Sequence, residues 1–277
     1  MEIAATPWPI VGHTVAVEML ARAARTGQVA HAYLFFGPEG IGRFTLARIF
    51  AQALLCEAPP DERPCGRCSA CQRVERGVHP DVSIISRETQ AAGDERGDGK
   101  HTRISIETVR NLRASISLRP MEGRWRVAII AESDLLSRDA FDALLKTLEE
   151  PPPFVVLILI ATEAEALPGT IRSRCQPVPL EPLSRGAVAA ELTRRGIPPE
   201  EAATIASLSR GRIGHALALA ADPEALDARR QAVDAGLEMI ESPLAAIAGA
   251  RRLADTYRRG QRDAVERQID LLLGLWR

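Results

Sequence analysis

The sequence predicts an α/β fold in which helices cover both faces of a parallel sheet, followed by an all-helical part. Four short apolar runs alternate with amphipathic segments over the first two thirds of the chain. These runs are apolar without interruption, which is typical of strands buried on both faces of a parallel sheet. Strand-like runs stop after Pro179, and from Ser184 onward the apolar residues recur at helical spacing.

The predicted strands and helices alternate along the chain. The strands cover residues 32–36, 81–85, 125–130 and 154–160, and the helices between them cover 43–55, 106–117 and 137–150. Ser137 is placed to cap the third of these helices, and three consecutive prolines end it. The polar, Gly-containing segment 86–103 predicts a mobile loop. Later helices are predicted over 185–195, 199–209 and 213–220, and from Pro223 the pattern stays helical to the last residue.

Length, charge and cysteine content limit the kind of protein. At 277 residues the chain suits two or three compact units. Its 35 Lys and Arg residues nearly balance 36 Asp and Glu residues, so wholesale binding to nucleic acid or membrane is not indicated. Residues 154–161 form the longest apolar run, too short to span a bilayer, and no secretory signal is evident. We therefore expect a cytoplasmic protein whose five cysteines are metal ligands or free thiols.

The first predicted strand leads into a glycine-rich loop with the layout of a phosphate-binding loop. Gly37, Gly40 and Gly42 allow backbone N–H groups to curl around a phosphate, and the following helix directs its N-terminus at the anion. ATP hydrolysis also needs a Lys after the last glycine, and then a Ser or Thr that binds magnesium. The sequence has Arg43 and Phe44 at these two positions.

Other positions of the predicted nucleotide site also depart from the hydrolytic pattern. Thr45 has a hydroxyl but comes one residue late, which turns it about 100° around the helix. The third strand should end in two acids, the first of which steadies magnesium. Ala131 replaces that acid, and Glu132 remains where a water-activating base would sit. The loop alone favours a plain glycine turn, but the loop and the third strand together predict a nucleotide site that has lost hydrolysis; weak nucleotide binding stays open.

Four of the five cysteines lie close together in the sequence. Cys56, Cys65, Cys68 and Cys71 are separated by eight, two and two residues, and Gly66 supplies a tight turn. Four thiolates at this spacing can close a tetrahedral zinc site with no open coordination position, which predicts a structural metal. An iron–sulfur cluster is the chief alternative, and the fourth ligand upstream, instead of a downstream Cys-Pro, favours zinc.

Two stretches of the chain, HAYLFFGPEGIG at 31–42 and ALLKTLEEPP at 143–152, are typical of a known family. Together with the four cysteines between them, they resemble the delta-prime subunits of the bacterial DNA polymerase III clamp loader, which have the AAA+ fold. The resemblance covers roughly residues 11–220. The gamma/tau motor subunits of the same loader share these stretches but keep the Lys-Ser/Thr pair and the acid pair. Arg43, Phe44 and Ala131 therefore favour the delta-prime class.

The resemblance also implies roles for three residues outside the loop. In clamp loaders a Ser-Arg-Cys motif places an arginine against the ATP of the neighbouring subunit, and Arg174 matches that position. Such an arginine finger stabilises the charge that builds on the transferred phosphoryl group. Thr162 resembles the first nucleotide sensor. Gly214 stands where motor subunits carry a second-sensor arginine, while Arg212 is expected on the preceding turn.

The same resemblance implies the domain order and the partners. An AAA+ domain over 1–178, with a zinc module at 56–71, would precede a helical lid over 179–221 and the start of a helical collar over 222–277. Because the apolar segment 269–277 has no evident partner, we expect the collar to be incomplete. The implied partners are the gamma/tau motors, the clamp-opening delta subunit and, through the complex, the sliding clamp and primer-template DNA. ATP would be bound by a neighbouring subunit, and no membrane would be involved.

Two other functions fit parts of the sequence. An active ATPase motor would use Arg43 and Thr45 in an unusual loop. A zinc-dependent DNA-binding module would use the basic residues of the cysteine segment, which are Arg63, Arg67, Arg73 and Arg76. Acidic residues are interleaved with them and favour a solvated surface of mixed charge: Glu57, Asp61, Glu62 and Glu75.

Overall fold

The computed structural model describes residues 8–92 and 103–260, together with positions 265 and 269. Within these residues, five strands form one sheet in which all neighbouring pairs are parallel. The spatial order is β2-β3-β4-β1-β5, so β1 lies inside the sheet. The predicted α/β fold is therefore confirmed. The strands are β1 (Ala32–Phe36), β2 (Val82–Ile85), β3 (Arg126–Ile130), β4 (Val155–Ala161) and β5 (Gln176–Pro179).

Helices cover both faces of the sheet. In the described residues up to 179 they are α1 (Thr14–Thr26), α2 (Arg43–Leu55), α3 (Ser69–Glu75), α4 (Arg87–Ala92), α5 (Ile106–Ile116), α6 (Arg138–Glu149) and α7 (Gly169–Arg172). Leu20 of α1 and Phe50 of α2 belong to the core on one face, and Leu112 of α5 and Leu144 of α6 belong to the core on the other. Every residue of β3 and β4 is buried. This two-sided burial explains why the strands are apolar without alternation.

The described chain beyond β5 is helical. Its helices are α8 (Arg185–Arg194), α9 (Pro199–Ser209), α10 (Ile213–Ala221), α11 (Pro223–Glu241) and α12 (Pro243–Arg258). The chain divides into two compact units, the first formed by Met1–Ala187 with Arg212–Gly214, and the second by Val188–Gly211 with His215–Arg277. In the second unit, α11 packs against α9 and α12. Among the residues described, no helix is both long enough and apolar enough to cross a membrane. The predicted boundaries of lid and collar stay predictions.

The structure corrects the sequence prediction at two places. β5 is a fifth strand, although its two prolines interrupt the strand pattern. It lies at the edge of the sheet and pairs with β1 alone, where a proline is tolerated because its missing N–H can face away from the ladder. The segment predicted as a mobile loop begins with α4. The rest of that segment up to residue 102, and the predicted terminal helix 269–277 apart from its first residue, lie outside the described residues.

A buried carboxylate fastens the start of β2 to the segment before β3. Asp81 is fully buried, and its carboxylate accepts hydrogen bonds from the backbone N–H groups of Met121, Glu122 and Gly123 at 2.6, 2.9 and 3.1 Å. Burial alone would raise the pKa of Asp81, but these hydrogen bonds hold it below its ordinary value. The fold therefore stabilises the ionised form.

We expect Asp81→Ala to lower the free energy of unfolding by on the order of 3 kcal/mol, because it leaves buried N–H groups without an acceptor. Since the folded pKa lies below the unfolded one, the contribution of Asp81 is present above the unfolded value of about 3.9 and is lost as pH falls through the folded value. Urea unfolding at pH 7 and at lower pH measures both effects. Asp142→Ala, at an exposed position, is the control, and equal stability of the two variants at pH 7 would contradict the prediction.

Candidate functional sites

The glycine loop follows the carboxyl end of β1, which is an interior strand of the sheet. Gly40 and Gly42 have φ angles of 76° and 102°, in the left-handed region that favours glycine. α2 begins directly after Gly42, so its N-terminus faces the loop. A Cβ at Gly37 would collide with the carbonyl oxygen of Leu180. The backbone therefore has the layout of a phosphate-binding loop.

The first two side chains of α2, those of Arg43 and Phe44, have no oxygen that could bind magnesium. Arg43 is half-buried, and Phe44, which has no oxygen, is 37% exposed. Thr45 lines a cleft of about 660 Å³ together with Gln52 and Cys65. Thr45 therefore lies on the face of α2 that borders the cysteine segment.

Glu132, the surviving acid after β3, is held by an arginine. Its carboxylate accepts hydrogen bonds from the backbone N–H, Nε and Nη2 of Arg87 at 2.8, 3.0 and 2.8 Å. Burial opposes ionisation, but the bonds from Arg87 lower the pKa of Glu132 below its ordinary value. In this structure the carboxylate of Glu132 is thus engaged by Arg87. The backbone N–H of Ala131 donates to the carbonyl oxygen of Ile85 at 2.8 Å.

Asp134, an acid that the sequence motifs did not indicate, contacts one of the predicted site residues. Asp134 accepts hydrogen bonds from Oγ1 and the backbone N–H of Thr162 at 2.9 and 3.2 Å. Burial lowers the pKa of Arg43, while the negative charges of Asp134 and Glu39 oppose that shift. The guanidinium at the lysine position therefore lies in the field of two carboxylates of its own chain.

Gly214, the predicted second-sensor position, contacts the glycine loop. Its backbone N–H donates to the carbonyl oxygen of Gly40 at 2.7 Å, and both residues belong to the first compact unit. A Cβ at Gly214 would lie 2.8 Å from that oxygen, closer than side chains normally approach. This arrangement therefore has no room for an arginine at position 214. Arg212 precedes α10, outside the helix, as expected.

The four clustered cysteines bring their sulfurs together. The Sγ atoms of Cys56, Cys65, Cys68 and Cys71 lie within 4.8 Å of one another, and those of Cys56 and Cys68 are 4.0 Å apart. Tetrahedral Zn–S bonds of about 2.3 Å would place sulfurs about 3.8 Å apart, so the cluster fits a single metal ion. Burial disfavours the Cys65 thiolate, but hydrogen bonds from the backbones of Arg67 and Cys68 lower the pKa of Cys65 to about 6. The four residues could therefore hold a metal ion.

The cysteine segment is fastened to its surroundings by polar contacts. Gln52 of α2 donates to the carbonyl oxygen of Cys71 at 3.0 Å, and Trp8 Nε1 donates to that of Arg63 at 3.1 Å. Arg73 of α3 makes a two-pronged ion pair with Glu122. The segment is thus tied to α2 and to the loop that precedes β3.

The arginines predicted as a local basic patch have acceptors within the chain. Besides the pair of Arg73 with Glu122, Arg67 pairs with Glu62 at 3.9 Å, while Nε of Arg63 and of Arg76 donate to backbone carbonyls at 2.7 and 3.2 Å. Two nearby acids pair with arginines outside this group: Asp61 with Arg25 and Glu75 with Arg48. These pairings favour a solvated surface of mixed charge.

Arg174 lies two residues after α7, with its side chain 37% exposed. Nη1 donates to the carbonyl oxygen of Thr170 at 2.9 Å, and Nη2 donates to Oε1 of Glu149, the last residue of α6, at 3.0 Å. The next residue, Cys175, is buried, and burial raises the pKa of its thiol to about 12. The segment is therefore anchored by Cys175 while it carries a charged side chain at the surface.

A parallel sheet of this strand order, with a glycine loop between β1 and the following helix, defines a P-loop protein of the AAA+ class. Solved structures agree with this fold. The Aeropyrum pernix ORC1 protein, solved in complex with DNA, has a TM-score of 0.53 at 19% identity, covering 82% of this chain and 63% of that one. The Thermotoga maritima RuvB Holliday junction branch migration motor has a TM-score of 0.51 at 20% identity, covering 77% and 63%.

Residues 12–184 match the family described as DNA polymerase III, delta subunit, and the chain belongs to this family. It is also similar to the DNA polymerase III subunit tau/gamma of Haemophilus influenzae, with 34% identity over 216 residues, which are 76% of this chain and 30% of the relative. The tau subunit of Escherichia coli is 38% identical over 166 residues, 60% of this chain and 24% of the relative. The matched part is less than a third of either relative.

Proposed function

We propose that this chain is a non-hydrolysing, delta-prime-type subunit of the bacterial sliding-clamp loader in DNA replication. In this role it binds the clamp-opening delta subunit and gamma/tau-type motors in the cytoplasm. Its contribution to loading the sliding clamp at primer-template DNA is assembly, together with one side chain offered to a neighbour. Membership of the DNA polymerase III family and the tau and gamma relatives support a place in this complex.

The state of the nucleotide site carries the non-hydrolysing part of this proposal. Phe44 and Ala131 cannot ligate magnesium, and the displaced Thr45 lines the cleft beside the cysteines. Glu132 already pairs with Arg87, so it does not serve as a base. Hydrolysis needs both the metal and the oriented water, and the residues for both are replaced or engaged.

The position of Arg174 supports a catalytic role on a neighbouring subunit's ATP. Each terminal guanidinium nitrogen carries two N–H groups, and each donates one hydrogen bond: Nη1 to the carbonyl oxygen of Thr170 and Nη2 to the carboxylate of Glu149. A planar, permanently charged group at the surface can reach a phosphate that this chain does not bind.

We assign structural zinc to the four cysteines. The donor set is four sulfurs, which closes a tetrahedral site and leaves no position for a substrate. Bound zinc would supply charge neutralisation and a fixed fold of residues 56–71. The chain's own residues would hold that segment against α2 through Gln52.

The isolated chain tests the absence of hydrolysis. We expect no magnesium-dependent ATP turnover above background, whereas a gamma/tau-type motor assayed in parallel should turn over. Glu132→Gln should leave the ATP turnover of the assembled loader unchanged, because Glu132 pairs with Arg87 instead of activating water. Tight magnesium-dependent nucleotide binding with turnover comparable to the motor would establish the alternative of an active motor, which the tau and gamma relatives favour.

A further inference from the structure

We propose that Glu149 is a positioning residue for Arg174. It holds the guanidinium in the orientation from which it can stabilise the charge on the phosphoryl group transferred from the neighbouring subunit's ATP. This inference rests on the proposed role of Arg174 in trans. Glu149 and Arg174 are 25 residues apart in sequence, and Nη2 donates to Oε1 at 3.0 Å. Glu149 itself would touch neither nucleotide nor metal.

The backbone on both sides of this pair is fixed. Glu149 ends α6 directly after Leu148, which is 2% exposed and belongs to the core. On the other side, the N–H of Arg174 donates to the carbonyl oxygen of Ile171 at 3.1 Å, and Cys175 is buried. The backbone positions of both residues are therefore held, and the flexible parts of the pair are the two side chains.

Two acceptors from different elements restrain that side chain. The carbonyl oxygen of Thr170 in α7 receives a bond from Nη1, while Glu149 of α6 receives one from Nη2. Bonds at both terminal nitrogens define the plane of the guanidinium as well as its position. One N–H on each nitrogen is left for a phosphate oxygen. Without Glu149 the side chain would keep a single tether and would have to be ordered during catalysis.

Because the Arg174–Glu149 pair is exposed, its effect on the orientation of Arg174 can be measured separately from any effect on the stability of the fold. The side chains of Arg174 and Glu149 are 37% and 51% exposed, and ion pairs at such exposure contribute little to folding. Loss of the Glu149 carboxylate should therefore leave the thermal melting of the chain and its assembly into the loader unchanged. An effect on ATP turnover would then report the orientation of Arg174.

The test uses the complete loader, reconstituted with its gamma/tau-type motors, and measures kcat and KM for ATP. The turnover that depends on Arg174 is defined by the loss in Arg174→Ala. We expect Glu149→Ala to reduce this share of kcat by about three- to tenfold, the cost of ordering one rotamer-rich side chain, with KM unchanged. Glu149→Gln keeps the acceptor oxygen and should restore most of it. Glu165→Ala removes the partner of Arg172, paired at 3.4 Å in the same region, and is the matched control.

The outcomes distinguish the positioning role of Glu149 from the proposed function of Arg174. An unchanged kcat in Glu149→Ala, beside a loss in Arg174→Ala, overturns the positioning role and leaves the proposed function standing. A higher kcat in Glu149→Ala shows that Glu149 holds the arginine back and also overturns the proposal. If Arg174→Ala has no effect, no part of kcat depends on Arg174, and both the positioning role of Glu149 and the proposed function of Arg174 fail.

Discussion

Arg174→Ala should abolish most of the ATP turnover at the one motor site that this chain faces in the clamp loader. Arginine fingers contribute about 10³- to 10⁵-fold to phosphoryl transfer, and alanine removes the charge and all five N–H donors. The ATP turnover of the whole complex should fall by the fraction that this one site contributes, because the other ATP sites face other subunits that the substitution does not change. Steady-state ATP turnover of the reconstituted loader, with clamp and primer-template DNA, measures this loss.

Two companion variants make the result specific. Arg172→Ala removes an equal charge from the same segment, but its side chain pairs with Glu165 at 3.4 Å and it is outside the Ser-Arg-Cys motif. It should leave turnover unchanged. Arg174→Lys keeps the charge without the planar fork, so it should recover only a minor part of the activity. Normal turnover in Arg174→Ala, with intact assembly, would refute the trans role.

The elements that depend on local pattern were predictable from the sequence. Ser137 caps α6 by accepting a hydrogen bond from the N–H of Ala140 at 3.2 Å, and the helix ends at Glu149, before the three prolines. The cysteine spacing likewise predicts the sulfur cluster. β5 was not predictable in this way, because its strand conformation depends on pairing with β1, which is more than 130 residues earlier in the chain.

The residues of the candidate site can likewise be divided into those that the local sequence indicates and those that only the packing of the fold brings together. Arg43, Phe44 and Ala131 are recognisable because each stands at a fixed distance from a glycine or from the end of a strand. The contacts made by Glu132, Thr162 and Arg174 cannot be recognised in this way. Arg87 contacts Glu132 across 45 residues, Asp134 contacts Thr162 across 28, and Glu149 contacts Arg174 across 25. Contacts of this range are created by the packing of the sheet and carry no local sequence pattern.

Cys71→Ser should release the metal and destabilise the cysteine segment by on the order of several kcal/mol. Metal binding of this kind is coupled to folding, so the loss of one ligand removes folding free energy. Element analysis of the purified chain should give about one zinc per chain in the wild type and less in the variant. Iron with labile sulfide, or a visible absorption band, would instead establish the iron–sulfur alternative.

The damage should extend from the cysteine segment into the helix that carries the glycine loop. Cys56 directly follows α2, and Gln52 on the last turns of that helix donates to the carbonyl oxygen of Cys71. Hydrogen exchange should therefore increase at the carboxyl end of α2 in Cys71→Ser. Cys175→Ala, at the one cysteine outside the cluster, is the control and should retain the metal. If α2 exchanges as slowly in Cys71→Ser as in Cys175→Ala, the metal stabilises its own segment alone, and the coupling to the glycine-loop helix is wrong.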